Sequence, residues 1–177
     1  MAAVINATPG SPTANSFTTI AFADAWNDAQ LYSDDWASAN EETKTKALIT
    51  ATRLIRDSVP FDGWQGFAVS STQALPLPRS GMLSRTGYAL PNTLIPVDLE
   101  SATSELARQL VTAGALPSVP GDTAGLKRIK AGSVELEFDS TQGSFGTTEL
   151  PDDIFNMISY LLVYGARGGI NVPLVRA

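Results

Sequence analysis

The sequence contains no cysteine and no histidine among its 177 residues. Without cysteine the chain can form neither a disulfide nor a thiolate metal site, and it has no cysteine nucleophile. Without histidine it lacks the commonest general base and metal ligand of proteins. Only carboxylates, lysine, tyrosine and serine remain as candidate catalytic side chains. We therefore predict that the protein is not an enzyme and uses no cofactor.

Long apolar runs and an excess of basic residues are missing as well. No apolar run approaches the ~20 residues of a membrane span, and the start of the chain lacks the basic and apolar regions of a signal peptide. The formal net charge is −6, whereas a domain that binds nucleic acid tightly usually presents a large basic face. The sequence therefore predicts no membrane partner and disfavours tight DNA binding.

Hydrophobic periodicity predicts two helices in the first third of the chain. The first is capped by Thr18 or Thr19 and has an apolar face formed by Phe22, Ala25, Trp26 and Ala29. After a break near residues 33–35, the second begins beyond Asn40 and ends before Pro60. Its inner face is formed by Ala47, Leu48, Ala51, Leu54 and Ile55.

Two further helices are predicted downstream. Pro96 is placed as the first residue of the third helix, which ends just before Gly114 and faces inward with Leu99, Ala102, Leu106 and Leu110. Residues 115–124 are turn-rich and predict a linker. The fourth helix opens at residues 150–153 and ends at Gly165, with Ile154, Ile158, Leu161 and Leu162 inward.

Residues 60–95, here called the strap, lie between the second and third helices and show no helical period. Within QALPLPRSG, Pro76 and Pro78 fix an extended backbone and remove two donors. Such ordered, irregular sequence is typical of a contact surface. We predict contacts between identical subunits through Gln73, Leu75, Pro76, Pro78 and Arg79. The alternative for Arg79 is that it caps carbonyls of its own loop.

A β-hairpin is predicted over residues 126–139, with its turn at Ala131-Gly132. One strand alternates Val134, Leu136 and Phe138 with Glu135, Glu137 and Asp139. The opposite strand carries the only dense basic cluster, Lys127, Arg128 and Lys130. These cations either pair with the acids across the hairpin or contact phosphates.

The ends of the chain are predicted to be arms. Residues 1–16 are rich in Ala, Ser, Thr, Pro and Gly, which is typical of a mobile segment. Residues 166–177 form a second arm after a helical domain at residues 17–165. The predicted fold is therefore mainly α: a four-helix bundle with a small β-hairpin, a long irregular strap and extended terminal arms.

Two groups of residues allow a functional interpretation but favour a structural one. Trp26, Trp36 and Trp64 are predicted to pack in the core or against loops rather than stack on bases, because no basic cluster flanks them. Acidic pairs occur at residues 34–35, 41–42 and 152–153. Two of these pairs lie where helix N-termini favour negative charge, so we predict no metal site.

Several motifs in a fixed order carry a family resemblance. They are KALITATRLI, Phe61-Asp62-Gly63-Trp64 with Gly66, QALPLPRSG, ELARQL, LKRIKAGSVELEFDS and LPDDIFNMISYLLVYGA. Over about residues 16–177 the chain resembles the head-tail adaptor proteins of tailed bacteriophages, also called head completion or connector proteins. Related sequences are described as DnaT-like single-stranded-DNA-binding proteins. One departure is Leu77, at a strap position where this pattern usually has an aromatic residue.

The resemblance implies a structural virion protein at the neck, the junction of capsid and tail, after assembly in the host cytoplasm. Such proteins form a ring, usually of twelve identical subunits, between the portal protein and a tail or stopper protein. The ring extends the channel through which genome DNA passes without sequence-specific binding. An acidic lumen would repel phosphates, which makes Glu135, Glu137 and Asp139 candidate channel-lining residues.

The C-terminal arm is then the predicted portal-binding segment. Its candidate residues are Arg167, Val172, Pro173, Leu174, Val175 and Arg176, a short apolar run with flanking cations. The alternative function is a single-stranded-DNA-binding accessory protein of replication.

Overall fold

The computed structural model describes residues 3–60, 62–114, 128–131, 134–137 and 150–163. In order, the elements are α1 (Ile20–Asp28), α2 (Asp34–Ser38), α3 (Glu41–Ser58), β1 (Phe67–Ala68), β2 (Arg79–Ser80), α4 (Val97–Ala113), β3 (Arg128–Ala131), β4 (Val134–Glu137) and α5 (Asp152–Ile158). A 3-10 turn, Ser159–Leu161, follows α5 directly. The predicted class, mainly α with a small β-hairpin, is confirmed.

Helix α4 lies at the centre of the bundle. It packs most extensively against α3 and also contacts α1, α2 and α5. Its buried apolar residues include Leu99, Ala102 and Leu106, and Gly114 ends it in the left-handed conformation with φ +61°. The Gly114 amide donates to the carbonyl of Leu110 at 3.1 Å, which satisfies a terminal carbonyl of the helix. The predicted inner face and C-terminus of this helix are confirmed.

Helix α3 begins and ends where the sequence predicts. The Asn40 side chain accepts a hydrogen bond from the Thr43 amide at 2.8 Å, so Asn40 is the N-cap. All five predicted inner-face residues are buried. The helix ends at Ser58, since Pro60 disfavours helical backbone at Val59.

The predicted inner face of α1 is wrong in part. Thr19 is the N-cap, as predicted, and its side chain accepts from the Phe22 amide. The buried residues, however, are Ala23 and Asn27, whereas Ala25 and Ala29 are exposed. The Asn27 amide can be buried because it donates to the Ala23 carbonyl at 2.8 Å. The Asn27 Oδ1 is buried without a partner among the described residues, and a face chosen from apolar residues alone misses such a polar position.

Two other helix predictions need correction. The break predicted near residues 33–35 contains the start of the short helix α2, whose Trp36 is buried. Helix α5 stops at Ile158 and continues as the 3-10 turn, so it is shorter than predicted. Its predicted inward residues Ile154, Ile158, Leu161 and Leu162 are nevertheless all buried. Gly165 lies outside the described residues.

The N-terminal segment, predicted to be a mobile arm, folds onto the domain over the residues that are described. Asn6 and Asn15 hold a loop closed, with the Asn6 amide donating to Asn15 Oδ1 at 2.8 Å. Ala14 is buried in the main hydrophobic cluster. The Ser11 carbonyl accepts from the Ala74 amide at 3.1 Å, which joins this segment to the strap. The C-terminal arm and the linker at residues 115–124 lie outside the described residues.

Strands β3 and β4 form the predicted antiparallel hairpin. The register opposes Arg128 to Glu137, Lys130 to Glu135 and Ala131 to Val134. The strands are therefore separated by residues 132 and 133, one position later than the predicted turn. Basic positions of one strand face acidic positions of the other, as the sequence predicts. Lys127, Phe138 and Asp139 lie outside the described residues.

Candidate functional site

A cavity of about 360 Å³ lies between the C-terminal end of α3 and the strap. Much of its wall is apolar and comes from Val59, Trp64, Leu75 and Pro76. Trp64 is only 2% exposed, so its ring is part of the core as well as part of the wall. Arg56 and Arg79 supply two cations to the same cavity. An apolar wall with a few polar groups is typical of a small-ligand site.

Arg79 lies inside the subunit, with 8% of its surface exposed. Its Nε donates to the Gln65 carbonyl at 2.8 Å, and its Nη2 donates to the Gly66 carbonyl at 2.7 Å. Among the described residues, no carboxylate lies within ion-pair distance of Arg79. Burial lowers the pKa of Arg79 from its ordinary value.

The backbone around the cavity is held by one glutamine. The Gln73 side-chain amide donates to the Leu75 carbonyl at 2.8 Å and to the Pro78 carbonyl at 3.3 Å. Its Oε1 accepts from the Ser70 amide at 3.0 Å. The Leu77–Pro78 peptide bond is cis. Because proline lacks an N–H, side-chain donors such as Gln73 replace the backbone ladder here.

Gly63 and Gly66 allow the close backbone contacts of this region. Gly66 has φ +67°, and a Cβ atom there would lie 2.2 Å from the Ser80 carbonyl oxygen. A Cβ at Gly63 would lie 2.9 Å from Val59 Cγ1. Neither position has room for a side chain, which gives a physical reason for both glycines of the motif FDGWQG.

The predicted inter-subunit residues are packed largely within their own chain. Leu75, Pro78 and Arg79 are buried, and Gln73 and Pro76 are half-buried. Arg79 caps carbonyls of its own strap, which is the alternative that the sequence left open. A role of these residues between subunits stays a prediction. Leu77, which departs from the resembling pattern, is 1% exposed and fills its position fully.

The strap also exposes several large apolar side chains. Phe67 is 80% exposed and Tyr88 is 78% exposed. Leu83 and Leu94 are exposed in the same segment. Large solvent-facing apolar side chains concentrated in one ordered segment favour a contact with another molecule.

Most cations of the described helices are ion-paired. Lys44 contacts Asp24 at 2.9 Å, Arg56 contacts Asp57 at 2.8 Å, and Lys46 pairs with Glu42. Arg108 forms a close pair with Glu105. Arg53 is exposed and has no ion-pair partner among the described residues. The described surface therefore offers few free cations for a phosphate backbone.

A polar network connects the strap to α4 and α5. Arg85 lies over the Tyr160 ring at 4.9 Å and donates to the Met157 carbonyl at 2.9 Å. Its Nε lies 3.6 Å from Asp98. Burial, followed by the hydrogen bond to Asp98 and the charge of that carboxylate, raises the pKa of Tyr160 to about 12. The Tyr160 hydroxyl is therefore a proton donor at neutral pH and not a base.

The structure does not bring the other predicted site residues together. Glu135 and Glu137 lie on β4, and Asp139 is outside the described residues. The predicted portal-binding residues, Arg167 and Val172 to Arg176, are also outside them. Within the described ranges no group of three or more acidic residues could hold a metal ion. No helix in the same ranges is long and apolar enough to cross a membrane.

A family model described as "Putative DnaT-like ssDNA binding protein" matches residues 1–177. The chain belongs to this family. No curated protein and no solved structure shows a significant match. The DnaT-like part of the resemblance is thus confirmed, and the head-tail adaptor part stays a prediction. The DnaT-like family is described by binding and not by a reaction.

In this member of the DnaT-like family, the cavity between α3 and the strap is a candidate site that the sequence did not predict. Arg56 is not one of the inner-face residues predicted for α3, and Trp64 was predicted to pack in the core or against loops, so the sequence gave no reason to bring the two together. The only signal was position, because Arg56 lies in the last turn before Pro60 and therefore beside the start of the strap. The cavity depends on how the strap folds back against that turn.

Proposed function

We propose that the chain binds single-stranded DNA. The observation that carries this proposal is membership, over residues 1–177, of a family described as DnaT-like and ssDNA-binding. Single-strand binding combines cations that contact the backbone with apolar or aromatic surfaces that contact the bases. The chain has candidates for both, namely the basic hairpin residues and the cavity beside Trp64.

The acidic balance restricts where the phosphates would bind. The net charge is −6, and most described cations are already paired. We assign the backbone contacts to the densest basic cluster of the sequence, Lys127, Arg128 and Lys130. Phosphates would compete there with Glu135 and Glu137, which lie opposite Lys130 and Arg128 in the hairpin. Binding of this kind depends on counterion release and is expected to weaken strongly as salt increases.

Fluorescence anisotropy of a labelled oligo(dT) strand over a salt series tests this function. The double variant Arg128→Gln and Lys130→Gln should weaken binding and lower the slope of log affinity against log salt by about one unit per cation removed. The matched control is Lys46→Gln with Arg53→Gln, which removes two cations of α3. Wild-type protein that ignores the strand at low salt, or a control that loses as much affinity as the hairpin variant, would contradict the proposal.

A second candidate is the head-tail adaptor ring, and the exposed apolar side chains of the strap favour it. Phe67 and Tyr88 are the largest of these, and their exposure fits a contact between subunits or with a portal protein. In this function the acidic charge keeps passing DNA from adhering. Arg167 and residues 172–176 would then bind the portal, while Glu135, Glu137 and Asp139 would line the channel.

Light scattering after size exclusion, with and without a portal protein, tests the ring. Phe67→Ser with Tyr88→Ser should reduce assembly and leave the melting temperature of the subunit unchanged, because both side chains are exposed. Deleting residues 171–177 should abolish portal attachment. A chain that stays monomeric with the portal present, at every concentration tried, would count against the adaptor function.

A further inference from the structure

Arg79 is a buried cation without a charged partner in the part of the chain that the structure describes. Its guanidinium has five N–H donors, and the structure uses Nε and Nη2 on two backbone carbonyls. Nη1 has no hydrogen-bond partner among the described residues, and it is not one of the fully buried atoms without a partner, so a ligand can reach it. A buried charge is costly unless it is paired, so an Arg79 held this way favours an anion beside it.

The unpaired charge borders the strap cavity. The cavity of about 360 Å³ lies at the small end of ligand pockets, which span roughly 300–1,000 Å³. Arg56 lines it too, and its only ion-pair partner in the described part of the chain is the adjacent Asp57. Because Arg56 is exposed, its side chain can turn between Asp57 and a ligand at little cost.

The remaining wall is suited to a flat apolar group. Ala68, Ala74 and Pro76 present accessible apolar surface to the cavity. Trp64, Leu75 and Val59 are nearly buried behind them, and Ser70 and Ser71 add hydroxyls. A ligand that satisfies both parts of the site has an anionic group and a flat, largely apolar body. A nucleotide has this composition, with a phosphate for the arginines and a base for the apolar wall.

Charge excludes the C-terminal segment of this chain as the better occupant. The segment Val172 to Val175 is apolar, and the only charged side chains of residues 164–177 are those of Arg167 and Arg176. Two arginines in the cavity would repel it. An acidic peptide would match the charge, but most acidic side chains would leave the apolar wall uncovered.

We propose that the cavity between α3 and the strap binds one nucleotide, with Arg79 and Arg56 on its phosphate and its base against Pro76, Ala68 and Ala74. The nucleotide is either one unit of a single strand or a free mononucleotide. The first case rests on the proposed DNA-binding function, and the second does not.

Calorimetric titration of the full chain with dTMP and with thymidine tests the phosphate contact. A single charge-assisted contact corresponds to about tenfold or more in affinity, so dTMP should bind at least that much more tightly. Arg56→Gln should reduce dTMP affinity several-fold. Arg53→Gln, one turn earlier on α3 and outside the cavity, should leave it unchanged. Equal binding of dTMP and thymidine, or equal effects of the two variants, would overturn the proposal.

A cavity-filling variant avoids the risk that an Arg79 variant fails to fold. Ala68 is exposed and lines the cavity, so Ala68→Phe should occupy it without disturbing the core. Ala37→Phe, at an exposed position of α2, is the control for added bulk. Both variants should keep the wild-type melting temperature, and only Ala68→Phe should lose dTMP.

The same variants separate the two sources of the nucleotide from the proposed function. If Ala68→Phe binds neither dTMP nor oligo(dT), the result supports binding of one nucleotide of a single strand in the cavity. Binding of dTMP without binding of oligo(dT) supports a free nucleotide and contradicts the DNA-binding function. Unchanged oligo(dT) binding in Ala68→Phe, with no dTMP binding to the wild type, overturns the cavity proposal and leaves DNA binding elsewhere. Binding of an acidic peptide in the cavity, without binding of dTMP, also overturns the cavity proposal.

Discussion

Asp24 organises a small polar cluster between α1, α2 and α3. Its Oδ1 accepts from Trp36 Nε1 at 2.8 Å and from Lys44 Nζ at 2.9 Å, while the Lys44 ammonium lies 5.4 Å from the Trp36 ring centroid. Trp36 is buried, so its N–H needs this acceptor. One carboxylate thus satisfies a buried indole and a largely buried cation.

We expect Asp24→Asn to lower the free energy of unfolding by about 1–3 kcal/mol, because it removes the charge that pairs with Lys44. Asp28→Asn, at an exposed position of the same helix, should change it by less than about 0.5 kcal/mol. Urea denaturation of both variants measures the difference. Equal effects would show that the cluster adds nothing beyond a surface charge.

Gly66 is the second residue with a local role that the structure specifies. Alanine there combines a left-handed φ with a Cβ 2.2 Å from the Ser80 oxygen, so the β1–β2 pair must shift. Gly87→Ala is the control, since it has φ +84° but no atom within 4 Å of its Cβ. Gly87→Ala should lower the free energy of unfolding by only about 1–2 kcal/mol, because a residue with a side chain is strained in the left-handed conformation. Thermal melts should show a clearly larger loss for Gly66→Ala, and similar losses would contradict the close contact.

At the scale of elements, the strap behaves as part of the bundle's core. Leu77 is 1% exposed within the main cluster, although it follows no helical or strand period. Leu77→Ala should therefore lower the free energy of unfolding by about 2–5 kcal/mol. Leu83→Ala, in the same segment but 47% exposed, should cost well under half of that. Chemical denaturation measures both, and a small effect of Leu77→Ala would mean that the strap is held mainly by contacts between subunits.

Helix α4 carries an ion pair that links elements. Arg108 Nε donates to Glu105 Oε2 at 3.1 Å, and Arg108 Nη1 donates to the Tyr32 carbonyl at 3.3 Å in the α1–α2 connection. Burial by itself would raise the pKa of Glu105, but hydrogen bonds from Arg108 and Gln109 and the charge of Arg108 outweigh it, so the pKa is lowered.

The sign of this shift gives a pH prediction. A carboxylate with a lowered pKa in the folded state stabilises the fold above its unfolded pKa, and that contribution is lost as the pH falls through the folded pKa. Relative to wild type, Glu105→Gln should thus be destabilised at about pH 7 and much less so at about pH 3. Denaturation midpoints at both pH values measure this. A destabilisation that is the same at both would contradict the charge-dependent role.

At the level of the whole molecule, the last described residues, 161–163, pack against the start of the strap. The Val163 amide donates to the Gly63 carbonyl at 2.8 Å, and the Gln65 amide donates to the Leu161 carbonyl at 2.9 Å. Trp64 and Leu162 form a bridge between these bonds. Residues about a hundred positions apart are therefore joined by backbone hydrogen bonds around a buried tryptophan.

Hydrogen exchange should report this contact. We expect the amides of Gln65 and Val163 to exchange together, with a protection free energy close to that of global unfolding, because opening one bond exposes the Trp64 core. Exposed loop amides such as that of Gly87 serve as the internal reference for local opening. Fast exchange of Val163 with slow exchange of α3 would show that the segment 161–163 opens by itself.

Local sequence patterns suffice to predict the helices and much of the core. The Asn40 cap, the Pro60 stop and the three-and-four spacing along α3 predicted that helix and its buried face, and the alternation in residues 134–137 predicted β4 and its hairpin. These features depend on neighbours within a few positions. They are readable before the fold is known.

The role of the strap and the position of the ligand cavity depend on contacts between residues that are distant in the sequence. Arg79 meets the carbonyls of residues 65 and 66, and Arg56 meets the same cavity from a helix, through contacts that no sequence period encodes. The burial of Asn27 and the folding of the N-terminal loop likewise depend on contacts that no sequence period encodes. Irregular backbone satisfies its hydrogen bonds with specific distant partners, so its position follows from the packed whole.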